Sequence, residues 1–116
     1  MRRTLLALPR TSADEEDDML FMCHGTAKPG LSADDRQKVL QIFRGWTPPA
    51  AMRVEAHYVD VSGHDYVVIE TDSAEALLEA TGVWAPYIDY TVTPIVAAPA
   101  AVERIASAEQ TRQQIL

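Results

Sequence analysis

The chain contains four apolar or alternating segments of strand length. Residues 19–26 form a continuous apolar run, and residues 52–61 and 64–71 are both rich in Val, Tyr and Ile. The turn-forming pair Ser-Gly at 62–63 separates the last two segments, which predicts a β-hairpin. Residues 87–96 have a similar composition and form the fourth predicted strand.

Helical periodicity occurs twice between these strands and once after them. Ser32 precedes an acidic first turn and predicts the start of a helix that ends near Arg44, before two prolines. Asp72 predicts the cap of a second helix, which we expect to end at Gly82. After Pro99, apolar residues recur at helical spacing and predict a third helix.

The order β-α-β-β-α-β is that of the split βαβ unit. It predicts an α+β protein of ferredoxin-like fold, with a four-stranded antiparallel sheet and an extra C-terminal helix. The expected strand order 4-1-3-2 places the fourth strand at an edge, where Pro94 is tolerated. We expect the domain at residues 19–98 and the C-terminal helix at 99–116. Residues 1–18 end in the acidic run DEEDD and are expected to form a flexible arm.

Size and charge limit the partners of this chain. Its 116 residues suffice for one core, and a four-stranded sheet with helices on one side leaves the other face bare. We therefore expect a homodimer that pairs through its sheet faces. The 10 basic and 17 acidic residues give a net charge of −7, which disfavours nucleic acids and membranes as partners. Cys23 is the only cysteine, which excludes an internal disulfide and favours the cytoplasm.

Four short segments carry a resemblance to a known family. They are MLFMCHGTAKP at 19–29, VDVSG at 59–63, ETD at 70–72 and YIDYTVTPI at 87–95. Together they resemble a bacterial family named domain of unknown function 3303, over roughly residues 19–96. The resemblance implies a dimeric α/β barrel, in which two ferredoxin-like sheets face each other. That wider superfamily includes cofactor-independent monooxygenases, cyclases and isomerases, haem proteins and stress-response proteins, so the resemblance implies a fold and not a reaction.

Alternation along each strand sends every second side chain to the same face of the sheet. One face collects most of the polar residues, whereas the complementary positions are apolar and suit the face covered by helices. We therefore expect a substrate pocket on the uncovered face, between the sheets of a dimer. The positions assigned to that face are Leu20, Met22, His24, Thr26, Arg53, Glu55, His57, Val59, Tyr66, Val68, Glu70, Asp89, Thr91 and Thr93.

His24 and Glu70 are the expected catalytic residues on this face. The near-neutral pKa of imidazole suits a general acid or base, and Glu70 on the neighbouring strand would orient His24 or act as the base itself. Gly25 stands where the resembling family often has a bulky aromatic residue, which would leave space beside His24. The alternatives are that His24 is hydrogen-bonded within the dimer interface and that Glu70 contacts Arg53 or a helix end. The expected substrate-binding residues are Met22, Thr26, His57, Tyr66, Val68, Asp89 and Thr91.

Other chemistries have little support in the sequence. The three histidines have no HxH or HxxxH spacing, and no carboxylates cluster with them, so we expect no metal site. Cys23 falls on the helix-covered face, where a buried thiol is usually inert. The chain has no glycine-rich phosphate loop and no GxSxG motif. We expect no cofactor.

Three functions remain open on this evidence. The first is a small cofactor-independent cyclase, isomerase or monooxygenase acting on an apolar organic substrate in a sheet-lined cavity. The second is a non-catalytic dimeric module that binds a small molecule or another protein. The third makes the sheet faces a dimer core only, with function in the acidic arm or the C-terminal helix.

Overall fold

A computed structural model describes residues 19–116 of the chain, and the predicted arm at 1–18 lies outside them. The described part has the predicted β-α-β-β-α-β order followed by one further helix. The elements are β1 (Met19–Ala27), α1 (Ala33–Gly45), β2 (Met52–Val59), β3 (Asp65–Thr71), α2 (Ala74–Trp84), β4 (Ile88–Ile95) and α3 (Ala98–Ile115). The α+β, ferredoxin-like fold with an extra C-terminal helix is confirmed.

The sheet has the strand order β2-β3-β1-β4, and every neighbouring pair is antiparallel. This is the order expected from the sequence. Strand β1 is central, and β4 lies at one edge with Pro94 opposite Phe21. A proline cannot donate a backbone hydrogen bond, so an edge strand with one unpaired side accommodates it.

Capping side chains define where both internal helices begin. Ser32 accepts a hydrogen bond from the Asp35 backbone, and the Asp35 side chain accepts one from the Ser32 backbone, so α1 begins with a complete capping box. In α2 the cap is Ser73 and not the predicted Asp72: its hydroxyl accepts from the Ala76 backbone at 3.0 Å. The helix also continues two residues past Gly82.

The hydrophobic core lies between the sheet and α2. Two alanines on α2 pack towards the sheet residues Cys23, Met52 and Ile69, all at most 9% exposed. The rings of Trp46 and Trp84 meet edge to face at 5.9 Å, as expected of aromatic residues that seal a core.

Helix α1 contributes no buried residue to this core. Leu40 and Phe43 on α1 remain 44% and 58% exposed, although both face the space above the sheet. The helix thus forms the wall of an open space instead of closing onto the sheet.

The face of the sheet opposite α1 and α2 has no covering element within the described residues. We call it the open face. The register assigns to it Leu20, Met22, His24, Thr26, Arg53, Ala56, Tyr58, Tyr66, Val68, Glu70, Asp89, Thr91, Thr93 and Ile95. The residues of helix α3 from 102 to 115 are all exposed.

Candidate functional site

A β-bulge in strand β2 changes which side chains face the helices. Val54 pairs with Ile69, but the next partner of β3, Val68, is Ala56, so one extra residue is inserted at Glu55. Because successive side chains alternate, one inserted residue moves everything after it to the opposite face. His57 pairs with Val67 and therefore lies on the helix-covered side. The predicted positions of His57 and Val59 on the open face are wrong for this reason.

The helix side of the sheet contains a cavity of about 770 Å³. We call it the helix-side cavity. Aliphatic and aromatic side chains form most of its wall, with α1 on one side, α2 on another and the sheet as its floor. Its lining includes Val39, Phe43, Trp46, Val67, Leu77 and Ala80. A volume of this size lies within the range of roughly 300–1,000 Å³ that is usual for small-molecule sites.

Asp65 is the centre of the polar part of this cavity. Its Oδ1 is hydrogen-bonded to Nε2 of His57, and its Oδ2 accepts a hydrogen bond of 3.0 Å from the Tyr90 hydroxyl. The Asp65 side chain is 15% exposed and that of His57 33%. The ionisable residues of the lining are Cys23, His57, Asp65 and Tyr90. Asp65 interacts with each of the other three. The cavity therefore has a single cluster of ionisable side chains within a mostly apolar wall.

Burial and the Asp65 carboxylate both raise the pKa values of Cys23 and Tyr90. Burial raises the pKa of the Cys23 thiol to about 11, and Asp65 adds to this rise. Burial, followed by the charge of Asp65 and its hydrogen bond, also raises the pKa of Tyr90 well above its ordinary value. Both side chains are therefore neutral at physiological pH. The Tyr90 hydroxyl keeps its proton and acts as a donor to the carboxylate.

Gly25 allows the Tyr90 ring to reach Asp65. The two residues pair across β1 and β4, and a Cβ on Gly25 would lie 2.7 Å from Cε1 of Tyr90 and 2.9 Å from a methyl group of Ile88. Any larger side chain would push the ring aside. The expectation that Gly25 leaves space beside His24 is wrong, because Gly25 faces the helices and His24 faces the other way.

On the open face, His24 belongs to a cluster at the β2–β3 turn. Its ring stacks on the cross-strand partner Tyr66 with centroids 4.9 Å apart, and the His64 ring lies 5.4 Å away. Tyr66 donates a 2.8 Å hydrogen bond to Asp60, which lowers the pKa of that carboxyl and raises the pKa of the phenol. Nε2 of His24 is buried and has no hydrogen-bond partner within residues 19–116.

The structure does not bring His24 and Glu70 together. Glu70 pairs with Leu20, four residues from His24 along β1, which corresponds to about 13 Å at ~3.3 Å per residue. Glu70 instead forms a salt bridge with Arg53, the alternative considered for it from the sequence. The catalytic roles of His24 and Glu70 stay predictions.

The other predicted binding residues lie on the open face as expected. Met22, Thr26, Val68 and Thr91 occupy the register positions of that face, with Tyr66 among them. Asp89 sits near its edge and forms an ion pair of 2.5 Å with Lys28. Their roles in binding a substrate stay predictions.

The sequence reasoning missed Asp65 and undervalued Tyr90. Both fall on the helix-covered face by simple alternation, and an acidic residue there needs a buried partner. The sequence therefore contains a signal for Asp65, namely an acidic residue at an alternating position of the covered face. The position of His57 had no comparable signal, because the sequence does not mark the bulge.

A sequence model of the family "Domain of unknown function (DUF3303)" matches residues 19–109, which is more than half of the chain. The protein belongs to this family. No curated protein and no solved structure matches the chain. Within the described residues no group of three or more His, Cys, Asp or Glu is placed to hold a metal ion, and no helix there is long and apolar enough to cross a membrane.

Proposed function

We propose that this protein is a small cofactor-independent enzyme of the isomerase, cyclase or monooxygenase kind. Its substrate is an apolar organic molecule held in the helix-side cavity. The observation that supports this most strongly is the combination of a large apolar cavity with one histidine–carboxylate pair in its wall. The substrate's apolar body would contact the α1 and α2 walls, and its polar end would meet His57 and Asp65.

The apolar wall of this space supports a ligand in it. The space of about 770 Å³ is partly open to solvent, so its aliphatic and aromatic lining is in contact with water when no ligand is bound. Water gains few hydrogen bonds against such a wall. An apolar ligand would cover Leu40 and Phe43 of α1, whose exposure otherwise has a free-energy cost.

The open face supports a further part of the proposal, a homodimer of the dimeric α/β-barrel type. A second sheet would cover Leu20, Met22 and Val68, which lie on this face. Val68→Lys places a charge at the centre of this face. We expect it to convert a dimer to a monomer in sedimentation velocity, whereas monomeric wild-type protein would contradict the dimer.

The alternative is a non-catalytic module that binds a similar molecule in the same cavity. The apolar wall supports ligand binding equally in both cases, so only turnover separates them. The histidine–carboxylate pair favours the enzyme, because a binding module needs no group that exchanges protons.

Binding is tested with N-phenyl-1-naphthylamine, a neutral probe that fluoresces strongly in apolar surroundings. Two adjacent leucines of α2 provide a matched pair of variants. Leu77 lines the cavity, whereas Leu78 is 74% exposed. We expect saturable binding to the wild type, at least tenfold weaker binding to Leu77→Trp, and unchanged binding to Leu78→Trp. Equal effects of the two substitutions, or no saturable binding at all, would contradict the proposal.

A further inference from the structure

The hydrogen bonds of Asp65 determine the protonation of His57. An ionised carboxylate only accepts hydrogen bonds, so Nε2 of His57 must carry the proton that it shares with Oδ1. In a neutral imidazole the other nitrogen, Nδ1, is then unprotonated and basic. The second carboxylate oxygen is already occupied by Tyr90, which limits rotation of the Asp65 side chain. Asp65 thus holds both the orientation and the tautomer of His57.

The position of His57 suits proton transfer to and from a bound molecule. Its side chain lines the cavity and is also 33% exposed, so protons can exchange with water while the substrate is held against an apolar wall. The Phe43 ring contacts the imidazole edge-on at 5.9 Å and limits its movement on the α1 side. The lining residues contributed by α1 and α2 carry no ionisable group. His57 is therefore the group of the cavity best placed to act as a base.

We propose that Nδ1 of His57 is the general base of this cavity, positioned by Asp65, and that its substrates are apolar carbonyl compounds with an acidic C–H beside the carbonyl. This rests on the proposed function above. In the forward step the substrate C–H bond breaks and its proton forms an N–H bond at Nδ1. The C–H electron pair becomes the C=C bond of an enolate, and the π pair of the carbonyl moves onto its oxygen. Return of the proton to the same carbon gives exchange, and in a substrate with a conjugated C=C bond, return to the far carbon of the dienolate gives an isomer. Neither needs an oxidant or a cofactor.

The test uses 2-tetralone, a neutral bicyclic ketone whose C–H groups beside the carbonyl exchange slowly with water. Loss of the proton signals in D2O is followed by NMR in the presence of the full-length protein. Because a positioned base typically contributes about 10²–10⁴-fold, we expect exchange with the wild type to be at least tenfold faster than with His57→Gln. His64→Gln is the matched control: His64 lies outside the cavity lining, so its replacement should leave exchange unchanged.

Two further measurements separate a base from a structural role. Added imidazole should restore exchange to His57→Ala in a saturable manner, because it can occupy the space that the side chain leaves. Asp65→Asn should still bind 2-tetralone but exchange its protons more slowly. It should also shift the dependence of the exchange rate on pH; in the wild type this rate should rise with the loss of a single proton. The titratable groups that line the cavity with His57 are Asp65, Tyr90 and Cys23, and the last two remain neutral at physiological pH.

Competition with N-phenyl-1-naphthylamine distinguishes the possible failures. If 2-tetralone displaces the fluorescent probe but exchange is the same with wild type and His57→Gln, the assignment of His57 is overturned and the binding function stands. If the fluorescent probe binds and 2-tetralone does not displace it, the substrate class is overturned. If neither compound binds, the proposed function fails together with this inference.

Discussion

The single cysteine offers a direct chemical test of the helix-side cavity. Cys23 is 5% exposed, and burial with the nearby Asp65 carboxylate raises its pKa to about 11. Only the thiolate reacts with iodoacetamide. At pH 8 a thiol of pKa about 11 is roughly 0.1% ionised, whereas one at the ordinary value of 9.0 is roughly 10% ionised. Ionisation alone therefore slows alkylation by about 100-fold, and limited access slows it further.

The assay compares the alkylation rate of the native chain with that of the same chain in urea, by mass spectrometry. We expect at least a 100-fold difference at pH 8 and a native rate that keeps rising beyond pH 9. Asp65→Asn removes the lesser cause of the raised pKa and should accelerate labelling of the folded protein, although not to the rate in urea. Equal rates for native and unfolded chains at pH 8 would refute the placement of Cys23 beneath the helices.

The same raised pKa predicts how stability depends on alkaline pH. The folded state favours the protonated thiol, so this contribution is complete below about pH 9 and is lost as pH rises towards about 11. The raised pKa of Tyr90 acts in the same direction from about pH 10 upwards. Urea midpoints should therefore fall across this range in the wild type, and less steeply in Cys23→Ala. A parallel decline in the two proteins would contradict the assignment to Cys23.

Substitutions at three further positions test the contact of Gly25 with Tyr90 and two sets of hydrogen bonds elsewhere in the fold. Gly25→Ala should push the Tyr90 ring away from Asp65 and slow the exchange of 2-tetralone protons. Tyr90→Phe should have the same effect if the lost hydrogen bond is the cause. A Gly25→Ala protein with normal exchange and a normal Tyr90 environment by NMR would contradict the role of the glycine. Thr71→Val should lower the free energy of unfolding by about 1–3 kcal/mol, because the buried hydroxyl donates to a backbone carbonyl and accepts from a backbone N–H. Thr71→Ser keeps a hydroxyl and should lower it less. The reverse order of the two variants in urea unfolding would contradict the role of these hydrogen bonds. Ser32→Ala should cost about 1 kcal/mol by removing the cap of α1, and an unchanged midpoint would show that the cap contributes nothing.

Much of the fold follows from local signals in the sequence. The turn-forming residues at 62–63 and the capping Ser32 each act over a few residues, and Gly63 does adopt the left-handed conformation expected in a tight turn, with φ of +86°. Pro94 restricts its strand to an edge, which fixes one end of the sheet order. Such signals need no knowledge of distant contacts. The second helix shows their limit, since Asp72 and Ser73 are both good caps and only the folded chain selects Ser73.

The candidate site depended on information that local patterns do not contain. The extra residue at Glu55 is set by how β2 pairs with β3, and it alone decides on which face His57 lies. Simple alternation in the sequence predicts one face for Arg53, Glu55 and His57. The separation of His24 from Glu70 likewise depends on strand register. Asp65 could have been identified, because alternation along its strand places it on the same face as Val67 and Ile69, where an acidic residue is unusual.

Two neighbouring valines allow the most direct test of where the ligand binds. Val67 faces the helix-side cavity, and Val68 faces away from it on the open face. With methyl-labelled protein and bound N-phenyl-1-naphthylamine, intermolecular nuclear Overhauser effects report which methyl groups lie near the ligand. We expect contacts from the probe to Val67 and Ile69 and none to Val68. Contacts to Val68 without contacts to Val67 would place the ligand between the sheets and contradict the account.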